Sequence, residues 1–452
     1  MDPKTTKIAV VAVIAVIIVA AAAVVLTTSG KSSSTDIDAA LEVYGNADAD
    51  YKIDKNDLNI IKKIIAGDEG YNLLTYPLAD ANYDGEVTDA DVELVQKILD
   101  KKECTVYHVN YKTTGKTDVR YDAYVVETKW PIVNSIGNGA ANALILYTIL
   151  GIEDKIAAIN YSSSSPPDKT LYPKFAEMES LGTSTQYLTA AKVVEAVAED
   201  PTITAVITAD NKSYLSSKTD GRIDEAGLEE MGIDVIRVKH AAVDPEEYGS
   251  ALLLLGFLYQ AESNAKDAAA WIQNAYDKLD KKISNAVQPK VTATSSKGAL
   301  STLFSDYADV AIQAGGKYMI PANTSSSLKI ADNQWLLEDQ YQGEYIINLR
   351  TGSGLGGSWY NADGFDKAKL QDAISDFKDF KAYKDHKVCI TSGDIPIVAR
   401  VMYTAYFYHP DLVSLDYADQ VHQEFVDKFL GGTYKVAGLH FAYTFDEIME
   451  EN

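Results

Sequence analysis

The sequence predicts an α/β protein: two mostly parallel α/β lobes joined by one long helix, preceded by a small all-α module and an N-terminal transmembrane helix. Three observations carry this expectation. Strand-like and helix-like segments alternate in two sets after residue 104, and such alternation folds through right-handed crossovers into parallel sheets. One long amphipathic segment, 263–286, separates the two sets. Ahead of both, a twelve-residue loop rich in side-chain oxygens occurs twice, at 46–57 and 80–91.

Composition narrows the function classes. The chain has 452 residues, 46% of them apolar, enough for two or three domains with a sizeable core. With 41 basic and 65 acidic side chains the net charge is −24. Phosphate binding needs basic stripes, so nucleic acid is not an expected partner. A disulfide between Cys104 and Cys389 cannot be inferred, and the plain reading is two unpaired small hydrophobes.

The apolar run "IAVVAVIAVIIVAAAAVVL" at 8–26 is long enough to cross a bilayer, which takes about 20 residues. The apolar core of a cleaved signal peptide is shorter, roughly 7–15 residues. Lys4 and Lys7 precede the run and place the N-terminus in the cytoplasm. The expectation is an uncleaved anchor over 1–27, a polar tether over 28–38, and a single-pass protein of the cell membrane with its other domains outside. Sequons at Asn160, Asn211 and Asn323 agree with that location.

Residues 39–103 hold the repeat. Oxygen side chains occupy loop positions 1, 3, 5, 9 and 12: Asn46, Asp48, Asp50, Asp54 and Asp57, then Asp80, Asn82, Asp84, Thr88 and Asp91. A hard cation such as calcium takes six to eight oxygens on such a loop, with a backbone carbonyl from position 7, here Lys52 and Glu86. Gly85 fits the sharp turn at position 6; Tyr51 does not, which predicts a weaker first site. An amphipathic helix follows each loop, "LNIIKKIIAG" and "VELVQKILDKK". The duplicated loop and helix resemble the dockerin family. That resemblance implies folding on calcium and docking to a cohesin partner read at loop positions 10 and 11, here Lys55 and Asn56, then Asp89 and Ala90. The two pairs differ, so equivalent docking by both halves does not follow, and a calcium-stiffened spacer without a cohesin partner is the plainer alternative.

The first lobe spans 104–243, with strands expected at 130–136, 155–160, 203–208 and 234–238. A connecting helical region covers 244–287, with Ser263 or Asn264 as the expected cap of its long helix. The second lobe, 288–452, repeats the alternation through "KVTATSS", "KYMIPAN", "EYIINLRT" and "KVCITSG". "PIVNSIGNGAANALILYTILGIEDKIAAIN" and "VCITSGDIPIVARVMYTAYFYHPDLVSLDYADQVHQEFVDKFLGG" resemble the opening and closing segments of the substrate-binding proteins that serve ABC importers of iron-siderophores, haem and cobalamin. The resemblance covers about residues 120–435. It implies capture of a metal chelate or corrinoid, delivery to an ABC permease, and no catalytic machinery. It also implies one acidic docking residue per lobe, Glu177 or Glu179 on the first and Glu338 or Asp339 on the second.

Open α/β sheets bind ligands at the carboxyl ends of their strands. That edge nominates Asn138, Tyr161, Lys212 and Tyr214 on the first lobe. On the second it nominates the loop "RTGSGLGGSWYN", with Arg350, Trp359 and Tyr360 to clamp a carboxylate and stack on a ring. Trp335, Arg400 and Tyr403 are lesser candidates. The glycine-rich loop lacks the lysine-hydroxyl ending of a phosphate loop, and Ser392 does not sit in a hydrolase nucleophile turn. The reading that competes with solute capture is a cell-surface scaffold or adhesion protein docking through the duplicated module.

Overall fold

The structure is a computed structural model, and it describes residues 37–450. The expected anchor at 8–26, and the tether up to residue 36, lie outside the described residues. Among the described residues no helix is long and apolar enough to cross a membrane. The expected single-pass placement in the cell membrane is therefore corrected: no spanning element stands in the described chain, and none is assigned.

Two loop–helix units come first. Helix α1 (Lys55–Ala66) starts at Asp54 and α2 (Asp89–Leu99) at Thr88. Each has a capping box, closed by Asp57 in one and Asp91 in the other. Leu58, Ile61, Ala79, Ala81 and Val95 form a small core between the helices. The chain just before them, Ile37 to Val43, is buried in the main core of the protein instead. The module is thus packed against the lobes rather than tethered beside them.

A ribbon follows that the sequence pattern conceals. Strands β1 (Cys104–Thr113) and β2 (Tyr121–Trp130) pair antiparallel from Cys104↔Trp130 to Thr113↔Tyr121. The buried positions of β1 include His108 and Asn110 beside Val106 and Val109, which breaks the period-two apolar signal. Val43 bridges to His108 at one end of the ribbon. Asn110 holds the ribbon to the first lobe by donating to the Val235 carbonyl at 2.8 Å.

The first lobe contains β3 (Asn134–Asn138), α3 (Ala141–Leu150), β4 (Ile156–Asn160), β5 (Gly182–Ser184), β6 (Tyr187–Thr189), α4 (Ala190–Glu199), β7 (Ile203–Ala209), β8 (Arg222–Ile223), α5 (Glu225–Glu230) and β9 (Asp234–Val238). Its main sheet has the order β4-β3-β7-β9, all parallel. The connection to the second lobe is a helical hairpin, not one lone helix. Helix α6 (Pro245–Leu258) is buried along most of its length and turns at Tyr259–Ala261 into α7 (Glu262–Ile283). Gly256 lets the pair approach: a Cβ there would lie 2.4 Å from the Cβ of Ala265. The expected caps at Ser263 or Asn264 are not used. Helix α7 begins after Ala261 without a side-chain cap, and Asn264 donates to the Leu150 carbonyl at 2.9 Å, fastening α7 to the first lobe.

The second lobe contains β10 (Lys290–Thr294), β11 (Ala299–Ser301), α8 (Asp306–Gln313), β12 (Lys317–Tyr318), β13 (Ser327–Lys329), β14 (Tyr345–Arg350), α9 (Lys367–Ile374), β15 (Val388–Ser392), α10 (Ile397–Tyr408), α11 (Leu415–Phe429), β16 (Ala442–Tyr443) and α12 (Phe445–Met449). Its sheet has the order β12-β10-β14-β15-β16 and is parallel except for β16. One apolar cluster runs from Ile37 through α3, α6 and α7 to Ile448, so the lobes share a core through the hairpin. Cys104 and Cys389 are both free.

Candidate functional site

The carboxyl ends of the two sheets meet in a seam. From the first lobe come Tyr161 after β4, Asp210 after β7 and His240 after β9; from the second come Arg350 at the end of β14 and Asp394 after β15. Arg400, on the otherwise apolar helix α10, is 3% exposed. Its Nε donates to the Ile395 carbonyl at 2.7 Å, and its Nη2 donates across the seam to Asn142 Oδ1 at 2.6 Å. The ribbon makes a second tie. Arg120, at the end of the turn into β2, donates to Asp309 on α8 at 2.6 Å, while the Thr113 N–H donates to the Asp210 carbonyl at 2.9 Å.

Charge in the seam is largely covered, with Arg400 and Arg120 set against several carboxylates. Burial pushes the carboxyl groups of Asp306 and Asp394 up, and the Arg400 guanidinium opposes it at both. Asp309 is pushed up to about 6 by burial, against the pull of Arg120. Burial also raises the hydroxyls of Tyr172, Tyr214 and Tyr360, and Tyr307 is pushed up to about 12, first by Asp306 and then by burial. Such a site offers anchored guanidinium groups, protonatable carboxyls and phenol hydrogen bonds in a low-dielectric gap. Among the described residues no group of three or more His, Cys, Asp or Glu is placed to hold a metal ion directly.

The sequence-nominated residues divide. Trp359 is corrected to a packing residue: it is 1% exposed, its Nε1 donates to the Arg350 carbonyl at 2.8 Å, and its ring lies 4.7 Å from Phe365. The glycines before it serve the loop's own fold, since a Cβ on Gly352 would meet the Gly357 carbonyl at 2.8 Å. Asn138 is likewise corrected to a brace: it is 1% exposed, its Oδ1 accepts from the Ala140 N–H at 2.8 Å, and its Nδ2 donates to Thr185. Lys212 is exposed and holds the ribbon turn through the Thr114 carbonyl at 3.0 Å. Tyr161 donates to the Met178 carbonyl at 2.9 Å, and Tyr214 lies 3.4 Å from the Thr185 hydroxyl. Arg350 spends its two terminal nitrogens on the carbonyls of Ser295 and Gly354, and its buried Nε has no partner. Tyr360 donates to the Asp394 carbonyl at 3.2 Å and packs on Tyr434 and Phe441. The structure therefore brings Tyr360 to Asp394, and sets Arg350 near Tyr307. It adds Asp210, Asp306, Tyr307 and Asp394, which the sequence pattern did not single out, and moves Arg400 to the centre. A lone arginine in the apolar run "IPIVARVMYTAYFY" was the available signal.

The two oxygen-rich loops are backbone twins. Asp57 accepts from the N–H groups of Asp48 and Asp54, and Asp91 from those of Asn82 and Thr88. Position 4 is left-handed in both, Ala49 at φ 54° and Tyr83 at φ 55°. They differ at position 1. Asp80 accepts from the N–H groups of Asp84 and Gly85, whereas Asn46 turns its amide nitrogen to the carbonyls of Leu41 and Asp50 and leaves its buried Oδ1 without a partner. Burial first, and neighbouring carboxylates after it, push Asp57 up to about 8 and Asp80 up to about 6, while backbone N–H groups pull the other way. The orphaned oxygen is found in the first loop only, and neither loop gathers three acidic side chains into a metal-binding group in this structure.

Of the nominated docking residues, Glu177 is exposed, Glu179 is exposed and paired with Lys192, and Glu338 is exposed and accepts from Gln340.

No protein-family model and no curated protein matches the chain. Solved structures do. The TroA-like periplasmic binding protein FepB of Veillonella parvula superposes with a TM-score of 0.51 at 17% identity, over 74% of this chain and 99% of that one. An ABC transporter solute binding protein of Sulfurospirillum deleyianum gives 0.50 at 17% identity, over 68% of this chain and 93% of that one. At this identity the likeness establishes a shared two-lobe fold.

Proposed function

We propose that the chain is a solute-binding protein that holds a metal chelate or corrinoid, of the siderophore, haem or cobalamin class, in the interlobe seam for an ABC permease. The observation that carries this reading is Arg400, buried between the strand ends of two lobes and bonded to both, with Asp306, Asp394 and a set of tyrosines around it. A chelate presents carboxylates and rings, and guanidinium groups and phenols are the partners for those. In this reading Arg350, Tyr161, Tyr214 and Tyr360 would meet it. Glu177 or Glu179 and Glu338 are the exposed acids through which each lobe would meet the permease. The test is a thermal-shift panel of ferric siderophores, haemin and cobalamin on the intact chain, because a ligand of the native state raises its melting temperature. A chelate that stabilises wild type and not Arg400→Lys supports the seam; a panel without any shift removes the proposal.

The module's loops would hold calcium through Asn46, Asp48, Asp50, Lys52, Asp54 and Asp57, and through Asp80, Asn82, Asp84, Glu86, Thr88 and Asp91, with the second loop the tighter. Calcium should raise the melting temperature, and Asp91→Ala should remove more of that rise than Asp57→Ala. A rise that survives both substitutions would place the ion elsewhere. The competing reading, a scaffold protein docking through the module to a cohesin partner, draws on the exposure of Lys55, Asn56, Asp89 and Ala90. Calcium-dependent binding to a cohesin domain would support it.

A further inference from the structure

The Asn-X-Ser tripeptides at Asn160, Asn211 and Asn323 have Tyr161, Lys212 and Thr324 in the middle, none of them proline. Such a tripeptide can carry an N-linked glycan in a folded protein only where the asparagine amide reaches solvent, because the glycan is bulky and hydrophilic. The structure sorts the three.

Asn160 is closed. It ends β4, is 5% exposed, and its Nδ2 donates to the Ser184 carbonyl at 3.0 Å. The packing around it is tight, since a Cβ on Gly182 would lie 3.3 Å from the Asn160 Cβ. A glycan on this nitrogen would break the bond to Ser184 and leave a buried carbonyl without its donor. Asn211 is open. It is exposed in the turn after β7, and its backbone is held from beneath: Arg237 donates to the Asn211 carbonyl at 3.2 Å and to the Tyr214 carbonyl at 3.0 Å. Its Oδ1 accepts from the N–H and the hydroxyl of Ser213, both at 2.9 Å, and its Nδ2 has no partner among the described residues. Asn323 is half-buried at the head of an exposed stretch, Thr324 to Ser327. Its Oδ1 accepts from the Ser325 N–H at 3.1 Å, and its Nδ2 too has no partner among the described residues. Its loop is held by Thr302, which donates its N–H to the Ser326 carbonyl at 3.0 Å and its hydroxyl to the Ser325 carbonyl at 2.8 Å. In both loops the backbone is anchored and the amide nitrogen is free, so a glycan can be carried without disturbing a contact.

We propose that Asn211 and Asn323 are N-glycosylation sites and that Asn160 is not. The donor is an oligosaccharide carried on a lipid phosphate. A bond forms between the asparagine Nδ2 and the anomeric carbon, the bond from that carbon to the phosphate oxygen breaks, the phosphate leaves with the electron pair, and the amide gives up one proton. The proposal rests on the solute-binding reading for its setting, the side of the membrane from which an importer draws its solute. The glycans would stand one on each lobe. Asn211 lies beside the foot of the ribbon, where the Lys212 N–H donates to the Thr113 hydroxyl at 3.0 Å. Asn323 lies beside the residues that lead into α8.

The test is glycopeptide mass spectrometry on the intact chain isolated from the cells that naturally produce it. Asn211 and Asn323 should each carry a glycan, and Asn160 none. Ser213→Ala and Ser325→Ala should each remove one glycan from the intact mass, and Ser213→Thr, which keeps the hydroxyl, should retain it. An unmodified Asn211 or Asn323 overturns the assignment of that residue, and a glycan on Asn160 overturns the argument from burial. The solute-binding reading is judged separately, by the thermal-shift panel on recombinant chain made without glycans.

Discussion

Trp359 shows how far a single side chain can mislead. A large aromatic after a run of glycines reads from sequence as a loop residue with little core to fill. The structure closes the loop on itself and seals Trp359 against Phe365 and Tyr443. Trp359→Ala should therefore cost about 3–5 kcal/mol of stability, the range for a deleted buried aromatic. Denaturant unfolding measures it, and a loss under about 1 kcal/mol would return Trp359 to the ligand list. His422 gives a pH-dependent case. Tyr403 donates to Asp419, so His422 Nδ1 donates to Tyr403 and its Nε2 accepts from Tyr434 at 2.7 Å. Burial of this neutral ring pushes its pKa down to about 3. The unfolded chain takes up the proton near 6.5, so the contribution is complete above that pH. It is lost as pH falls toward 3, by about 1.4 kcal/mol per unit. Buried acids with raised pKa values act in the opposite sense, so the difference between wild type and His422→Gln isolates the histidine. That difference should shrink between pH 6.5 and pH 5; a constant difference would mean the ring is not held neutral.

At the scale of elements, most of what the sequence implied lay in strong periodicities. "KIAAIN", "ITAVIT" and "DVIRV" are short apolar runs between helices, and they form the parallel strands β4, β7 and β9. The duplicated loops were legible because their oxygen side chains recur at one spacing, and both loops hold the same turn and cap. The ribbon was not legible, since its inward face carries His108 and Asn110, which only the surrounding structure satisfies. The seam was half legible for the same reason. Strand ends can be read from one lobe alone, whereas Arg400 gains its meaning from Asn142, far away in sequence. The hairpin was read as one helix because α6 is apolar all round and has no stripe to count. Its packing makes a direct prediction. Gly256→Val should destabilise by about 1–3 kcal/mol through overpacking against Ala265, whereas an exposed helix position would tolerate valine at a few tenths. Chemical denaturation of the intact chain reads the difference, and tolerance of valine would mean that α6 and α7 are not in close contact.

For the whole molecule, the proposed function requires a ligand to enter a seam already tied shut. A hairpin of two packed helices resists bending, because a sharp kink has to interrupt the i to i−4 ladder of both. The lobes are also joined at two places, by Arg400 to Asn142 and by Arg120 of the ribbon to Asp309. Large hinge closure is then not available, and entry must work by releasing a tie. The ribbon is the element to release. Its tie is the more accessible of the two, 23% exposed at Arg120 and 21% at Asp309, whereas Arg400 is buried, so it is the cheaper one to break. Arg120→Ala should therefore speed association of the chelate found in the thermal-shift panel severalfold, within the one to three decades over which related complexes vary. Stability should fall by about 1–3 kcal/mol, because Asp309 is left largely covered and without its partner. Stopped-flow binding measures the rate, and small-angle scattering with and without ligand should give the same radius of gyration. An unchanged association rate together with a contraction on binding would mean that the lobes swing on the hairpin and that the ribbon is a bystander.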